Sequence, residues 1–308
     1  MLNLALRHLL PEHHSMPIVT TRISGKADML GESPVWDADN GRLFWVDGFS
    51  RLVRCTAPGS ETVREWSTPS MVGSIGLAQG NSLIAGFADG IYLIDLDSGA
   101  SRPMFRPEPV DPAVRFNDGK VDRFGNFLCG SMGVHADPLG RLYRVQPDGR
   151  TTAHASGIRI SNALCFSPDG RTMYFADSFD RALRVYDYDP ADGPAAEPRA
   201  LIDTSPTGSG PDGATVDVEG GIWVALIQAG KIGRYTPEGA LVRLIDAPTD
   251  LPSCLAFGGP DMATLFVTSI KDSGSGRAVS KHPDGGCVFA IDGLGIGGIA
   301  ETRFGAAY

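Results

Sequence analysis

Residues 37–47 read DADNGRLFWVD. A polar turn closes on a glycine, and an apolar, aromatic and β-branched run follows at once, which is a hairpin signature. The pattern returns as LAQGNSLIAGF (77–87), VDRFGNFLCGS (121–131), FSPDGRTMYFAD (166–177), VDVEGGIWVAL (216–226) and FGGPDMATLFVTS (257–269). The turn glycines are Gly41, Gly80, Gly125, Gly170, Gly220 and Gly259, separated by 39, 45, 45, 50 and 39 residues. Shortly after each comes a second strand-like run: RLVRC, GIYLIDL, RLYRVQ, ALRVYDY, KIGRYT and CVFAID. Each second run leads toward a further turn such as DSG, PDG or PEG. Six units of four short antiparallel strands predict an all-β, six-bladed β-propeller. A β-sandwich array is the rival, but near-equal periods without linker composition count against it. The strand-like ends IVTTRIS (18–24) and ETRFGA (301–306) are expected to close the ring in the last blade. No domain boundary is visible, so 17–308 reads as one propeller.

The 308 residues are 42% hydrophobic and 20% charged, the composition of a packed globular chain, and 39 Gly with 22 Pro suit many tight turns. The net charge of -9 comes without any Lys/Arg run, which argues against a nucleic-acid partner. It suits a small neutral or cationic ligand, or a bound cation. Cys55, Cys129, Cys165, Cys254 and Cys287 are scattered singly with no CxxC, which predicts reduced, buried thiols and a cytoplasmic setting. No run approaches a membrane span. The start MLNLALRHLLPEHHSM is too short in its apolar part and too His-rich for a secretory signal, and it lacks a small-x-small cleavage site. It reads as an N-terminal extension over residues 1–16, with Met16 an alternative start and His13 and His14 outside any site.

Counting back from the turn glycines brings out polar residues at one phase. Asn117, Asn162 and Asp212 lie eight residues before theirs and Glu32 nine before Gly41, while the other two blades carry Val72 and Leu251 there. One phase of a propeller repeat lies on one rim of the channel, so these four oxygens are expected to converge. Carboxylates and amides without His or Cys suit a hard divalent cation: Ca²⁺ first, or Mg²⁺ or Mn²⁺, with Zn²⁺ less favoured. The alternative is that such residues are only turn and cap residues. Asp148, Asp169 and Asp284 sit in PDG turns and read as structural.

These residues occur in longer stretches that together carry a resemblance. LGESPVWD with LFWVD, RFNDGKVDRFGNFLCGSM, ISNALCFSPDGRTMYFADS, PDGATVDVEGGIWVAL and GGCVFAIDGLGIGGIA span about residue 27 to residue 300 in order. The chain resembles the senescence marker protein/gluconolactonase/regucalcin family of sugar lactonases. The resemblance implies a six-bladed propeller with one catalytic divalent metal that opens an aldonolactone to its aldonic acid. It implies Glu32, Asn162 and Asp212 as metal ligands, Asp212 also as general base, and Arg115 with Asn117 as the substrate-binding pair. In RFNDGKVDRFGN (115–126) the first half is therefore expected at the inner rim. The second half is expected to be an ordinary outer turn with Asp122 and Arg123 solvated. One departure stands out: where better-known gluconolactonases hold a sugar hydroxyl with an acid, this chain has GVHAD, with His135 at the matching position. Either His135 meets a different hydroxyl pattern or an anionic or deoxy-substituted sugar, or the loop simply differs and His135 is exposed.

Other readings of the same scaffold are an esterase or phosphotriesterase, which would want an apolar pocket, and a non-catalytic calcium-binding regulator. The polar residues near the expected site favour a sugar. No GxSxG context supports a serine nucleophile at Ser131 or Ser161. The expected partner is a small sugar lactone, with the chain a monomer or weak homo-oligomer.

Overall fold

The computed structural model describes residues 17–306 except Glu61; the expected extension over residues 1–16 lies outside the described residues. Six antiparallel sheets form the blades. Blade 1 comprises Gly31–Asp37, Arg42–Asp47, Leu52–Thr56 and Arg64–Ser67; blade 2 comprises Val72–Ala78, Ser82–Phe87, Gly90–Asp95 and Ser101–Phe105. Blade 3 comprises Val114–Val121, Phe127–Gly133, Gly140–Val145 and Thr151–Ile158. Blade 4 comprises Ser161–Phe166, Thr172–Asp177, Ala182–Asp189 and Ala200–Asp203, with the short Gly193–Pro194 added. Blade 5 comprises Pro211–Val216, Ile222–Leu226, Lys231–Tyr235 and Leu241–Asp246. Blade 6 takes Pro252–Gly258, Thr264–Ser269 and Phe289–Asp292 from one end of the chain and Val19–Arg22 from the other.

The six glycines that mark the repeat all adopt positive φ, between 59° and 84°. That is the conformation the tight turn after each inner strand requires and that side chains resist, so the repeat is legible as glycine. The strand after each turn is apolar on both faces because both are covered. Leu43 and Trp45 pack against Phe266 and Val288 of blade 6, while Phe44 and Val46 pack against Ile75 and Leu83 of blade 2. The buried clusters follow this rule all round: each of the six lies between two consecutive blades. All five cysteines are free and buried. Among the described residues no helix is long and apolar enough to cross a membrane.

Closure differs in one respect from expectation. IVTTRIS supplies the outer strand of blade 6, with Val19 opposite Asp292. ETRFGA does not join that blade. Instead the chain after Asp292 crosses the end of the channel where the inner strands finish. Val218 N–H donates to Gly297 O, Lys120 pairs with Glu301 at 2.5 Å, and Phe304 N–H donates to Leu77 O. Arg303 reaches both Asp37 and Asp39. The tail thus ties blade 5 to blades 1, 2 and 3, with Phe304 buried between blades 2 and 3. Phe304→Ala is expected to lower stability by about 3–5 kcal/mol, the usual cost of truncating a buried aromatic. It should leave KM unchanged, because the tail lies at the far end of the strands that start at the site described below. A melting curve and a KM measurement check both.

Asp122 also departs from expectation. Its side chain is fully buried, accepting hydrogen bonds from the backbone N–H of Phe124 and Asn126, from Asn126 Nδ2 and from the Tyr188 hydroxyl. The carboxylate organises the turn from inside, as Asp217 does in blade 5 by accepting from Gly221 N–H and Trp223 Nε1. Arg123 is half-buried rather than solvated.

Candidate active site

The inner strands of the blades begin at one mouth of the channel. In every blade the pairing of this strand with the next slips at its start: between Glu32 and Val35, Val72 and Ser74, Phe116 and Gly119, Asn162 and Cys165, Pro211 and Ala214, and Pro252 and Leu255. A bulge re-aims side chains, and here it does so at the polar phase found in the sequence. Glu32, Asn117, Asn162 and Asp212 each stand five residues before the first turn residue, Asp37, Asp122, Ser167 and Asp217; Glu32 is nine rather than eight from its glycine because that turn has one more residue. Ser33 and Ala163, which follow Glu32 and Asn162, hold φ of 49° and 56°. Left-handed backbone costs a residue with a side chain about 1–2 kcal/mol, and such strain persists only where surrounding contacts impose it. At Ser33 the contact is a hydrogen bond from Ile75 N–H of blade 2 to Oγ, 2.9 Å.

Glu32, Arg115, Asn117, His135, Asn162 and Asp212 all line one cavity of about 780 Å³ at this mouth. Arg115 and Asn117 share a face because strand side chains alternate, and Phe116 between them is buried. A chain of hydrogen bonds fixes the floor. Arg115 Nη1 donates to Asn117 Oδ1 at 2.6 Å, and Asn117 Nδ2 to Asn162 Oδ1 at 3.1 Å. Asn162 Nδ2 donates to Ser178 Oγ at 2.8 Å, and Ser178 Oγ to Pro211 O at 2.7 Å, one residue before Asp212. Gly73 makes room for this arrangement: a Cβ there would lie 2.7 Å from Asn117 Cα.

Three acids crowd this floor. Burial, then Asp212, then Asp118 push the Glu32 carboxyl well above its ordinary range. Burial and then Asp118 do the same to Asp212. Burial raises Asp118 to about 6, against a hydrogen bond from Leu164 N–H. The one arginine among them, Arg115, is lowered by burial to about 10 and stays cationic. The site therefore gathers three carboxyl groups around one guanidinium, each carboxyl harder to ionise than in water. Asp212 is 6% exposed and accepts no side-chain hydrogen bond among the described residues; Glu32 accepts only Ser33 N–H, at 3.4 Å. Two under-satisfied carboxylates, Asp212 buried and Glu32 half-buried, and the Asn162 amide oxygen fit a hard divalent cation. No group of three or more His, Cys, Asp or Glu among the described residues is placed to hold a metal, so a cation here would rely on the amide and on water.

Residues 30–271 match the family described as the SMP-30/Gluconolactonase/LRE-like region. The chain belongs to this family. It is similar to 6-deoxy-6-sulfogluconolactonase of Pseudomonas putida, 33% identical over 279 residues, covering 90% of this chain and 95% of that protein. It is similar to L-arabinolactonase of Azospirillum brasilense, 34% identical over 290 residues, covering 92% and 95%. Its fold matches a calcium-binding regucalcin of Agrobacterium tumefaciens with a TM-score of 0.82 at 28% identity, covering 91% and 95%.

Within this family frame, several residues in or near the cavity are not evident from the sequence. Asp118 hides beside Asn117 because strand alternation would point it away, and only the bulge after Phe116 keeps it near the site. Ser178, Arg181, Gln228 and Arg277 come from connections beyond the second strands. His135 sits exposed at the mouth, its carbonyl accepting from Arg277 Nη2 at 2.6 Å. One signal was available: DGFSR at 47–51 and DSFDR at 177–181 repeat Asp-x-Phe-x-Arg at the same point of blades 1 and 4.

Proposed function

We propose that this protein is a divalent-cation-dependent carboxylic ester hydrolase that opens a sugar lactone. The observation that carries the reading is the meeting of Glu32, Asn162 and Asp212 oxygens with the Arg115–Asn117 pair on the floor of one cavity. Similarity to two sugar lactonases over nearly the whole chain supports it.

Glu32, Asn162 and Asp212 would hold the cation, with Ca²⁺ the first choice for an all-oxygen set. Bound there, it supplies Lewis-acid stabilisation of the charge that develops on the lactone carbonyl oxygen. Asp212 takes a proton from the attacking water and returns it to the ring oxygen as the ester bond breaks. Arg115 offers a planar fork to adjacent hydroxyls, and Asn117, oriented by Arg115 and Asn162, holds a further one. His135, at the mouth, is read as a contact to the outer end of the sugar.

The test is a pH-indicator screen of sugar lactones, run after exhaustive chelation and again with Ca²⁺, Mg²⁺, Mn²⁺ or Zn²⁺. The expected result is a fall of about 100-fold or more on chelation, in line with Lewis-acid terms of several kcal/mol, and rescue by one cation. Full activity in chelator would remove the cation. Tight cation binding without turnover of any lactone would favour a binding regulator. Turnover of aryl esters or phosphotriesters in preference to lactones would favour the esterase reading.

A further inference from the structure

The floor of the cavity is polar, while its wall mixes polar side chains such as Arg181, Gln228 and Arg277 with apolar ones. Exposed large apolar residues are ordinary when scattered singly, and they carry information when they converge. Four converge here: Phe49 (46% exposed), Val110 (40%), Val134 (38%) and Phe179 (52%) all line the same mouth. They come from blade 1, the connection into blade 3, blade 3 itself and blade 4.

Phe49 and Phe179 occupy one position of the repeat. Each stands two residues past an aspartate, Asp47 or Asp177, that pairs with the residue just before Glu32 or Asn162. Blades 1 and 4 are three steps apart in a ring of six, so the two rings stand on opposite sides of the mouth. Both are braced. Phe49 rests against Gly274, where a Cβ would come within 2.3 Å of the ring. Phe179 has the Arg159 guanidinium 5.7 Å from its centroid.

Asp47 and Asp177 explain why the rings are held at this height. Asp47 accepts from Met29, Leu30 and Ser50 N–H, and Asp177 accepts from Arg159, Ile160 and Phe179 N–H. These bonds lock the loop that carries each ring to the loop that enters the inner strand. The rings are thus preorganised relative to Glu32 and Asn162, which lowers the ordering cost of binding.

Size points the same way. A cavity of about 780 Å³ lies within the range of about 300–1,000 Å³ that holds drug-sized ligands. A bare monosaccharide lactone is far smaller. A polar floor with two fixed aromatic rings above it suits a molecule polar at one end and apolar at the other.

We infer that the substrate is a lactone bearing an apolar substituent, aryl or alkyl, on the side away from its carbonyl, held between Phe49 and Phe179 while the lactone ring lies on the floor. This rests on the lactonase reading above. It differs from the sequence expectation, in which polar surroundings pointed to a sugar lactone, with an anionic or deoxy substituent as the possible departure.

The experiment compares an aldonolactone with the same lactone carrying a benzyl ether on its exocyclic hydroxyl. kcat/KM is measured for wild type, Phe49→Ala and Phe179→Ala, and binding of the two ring-opened acids is measured by calorimetry. The expected wild-type preference for the benzyl ether is about tenfold or more, given what burying an aromatic group contributes. That preference should collapse toward unity in either variant. A wild-type ratio at or below one overturns the inference while turnover of the plain lactone leaves the lactonase reading standing. A preference that survives both substitutions also overturns it. If neither lactone is hydrolysed, the lactonase reading fails; tighter binding of the benzylated acid would then support the apolar mouth by itself, and equal binding would overturn it.

Discussion

Asp212→Asn is expected to reduce kcat for lactone opening by about 10²–10⁴-fold, the range that general acid–base catalysis contributes, with an unchanged circular dichroism spectrum. The amide keeps the shape of the side chain and one oxygen donor but cannot take a proton from water. Stability supplies an independent readout. In the chelated protein, burial and Asp118 raise the folded-state pKa of Asp212 above its unfolded value. The folded state then binds more protons than the unfolded state across that interval, so stability falls as pH rises through it. At neutral pH, above the unfolded carboxylate range, this raised pKa opposes folding whether the buried group is ionised or takes up a proton, and the asparagine removes that opposition. The chelated variant should therefore melt above the chelated wild type at pH 7. The gap should narrow as pH falls toward the unfolded carboxylate range of about 4. Adding the cation should favour wild type, because binding to the folded state alone stabilises it. Undiminished kcat would remove Asp212 from its assigned role. A chelated variant less stable than chelated wild type would make it a structural anchor instead.

Arg115→Ala is expected to raise KM by about 10–100-fold, as the loss of hydrogen bonds from a charged donor costs about 1.5–3 kcal/mol. Two effects combine. The substrate loses the fork, and Asn117 loses the Arg115 bond at 2.6 Å that fixes its amide. kcat should fall by less than KM rises, because neither residue exchanges a proton with the reacting ester. Arg115→Lys should not restore KM, since an ammonium is a point charge and not a planar fork. Steady-state kinetics on one lactone decides it: an unchanged KM in Arg115→Ala would put the sugar elsewhere.

The propeller was readable because its construction rule is local. Each hairpin needs a left-handed residue after the inner strand, and glycine marks it six times. Each second strand is covered on both faces, and a continuous apolar run marks that. The polar phase was readable for the same reason: a repeat maps sequence spacing onto height in the channel. Resemblance to a known family then separated Arg115 and Asn117 from the cation's expected ligands, which phase could not do.

Three features resisted. Asp122 was misread because exposure was inferred from its polar neighbours, whereas its two oxygens are saturated by turn N–H groups, Asn126 and Tyr188. The destination of ETRFGA was misread because a strand-like composition does not say which edge it pairs with; Phe304 found an apolar slot between blades 2 and 3. Phe49 and Phe179 are easily missed because their shared Asp-x-Phe-x-Arg pattern occurs in only two of the six blades.

By itself, then, the sequence determined how many blades there are, where each inner strand begins and which residues share its rim, because these follow from short-range turns and a regular count. Only the tertiary structure decided what the rim encloses. Whether three acids share one buried site depends on distances across the ring, and desolvation exists only once blades from residue 32 to residue 212 have closed around it. The apolar mouth above that polar floor likewise belongs to no single segment, because it forms only where loops from opposite blades meet.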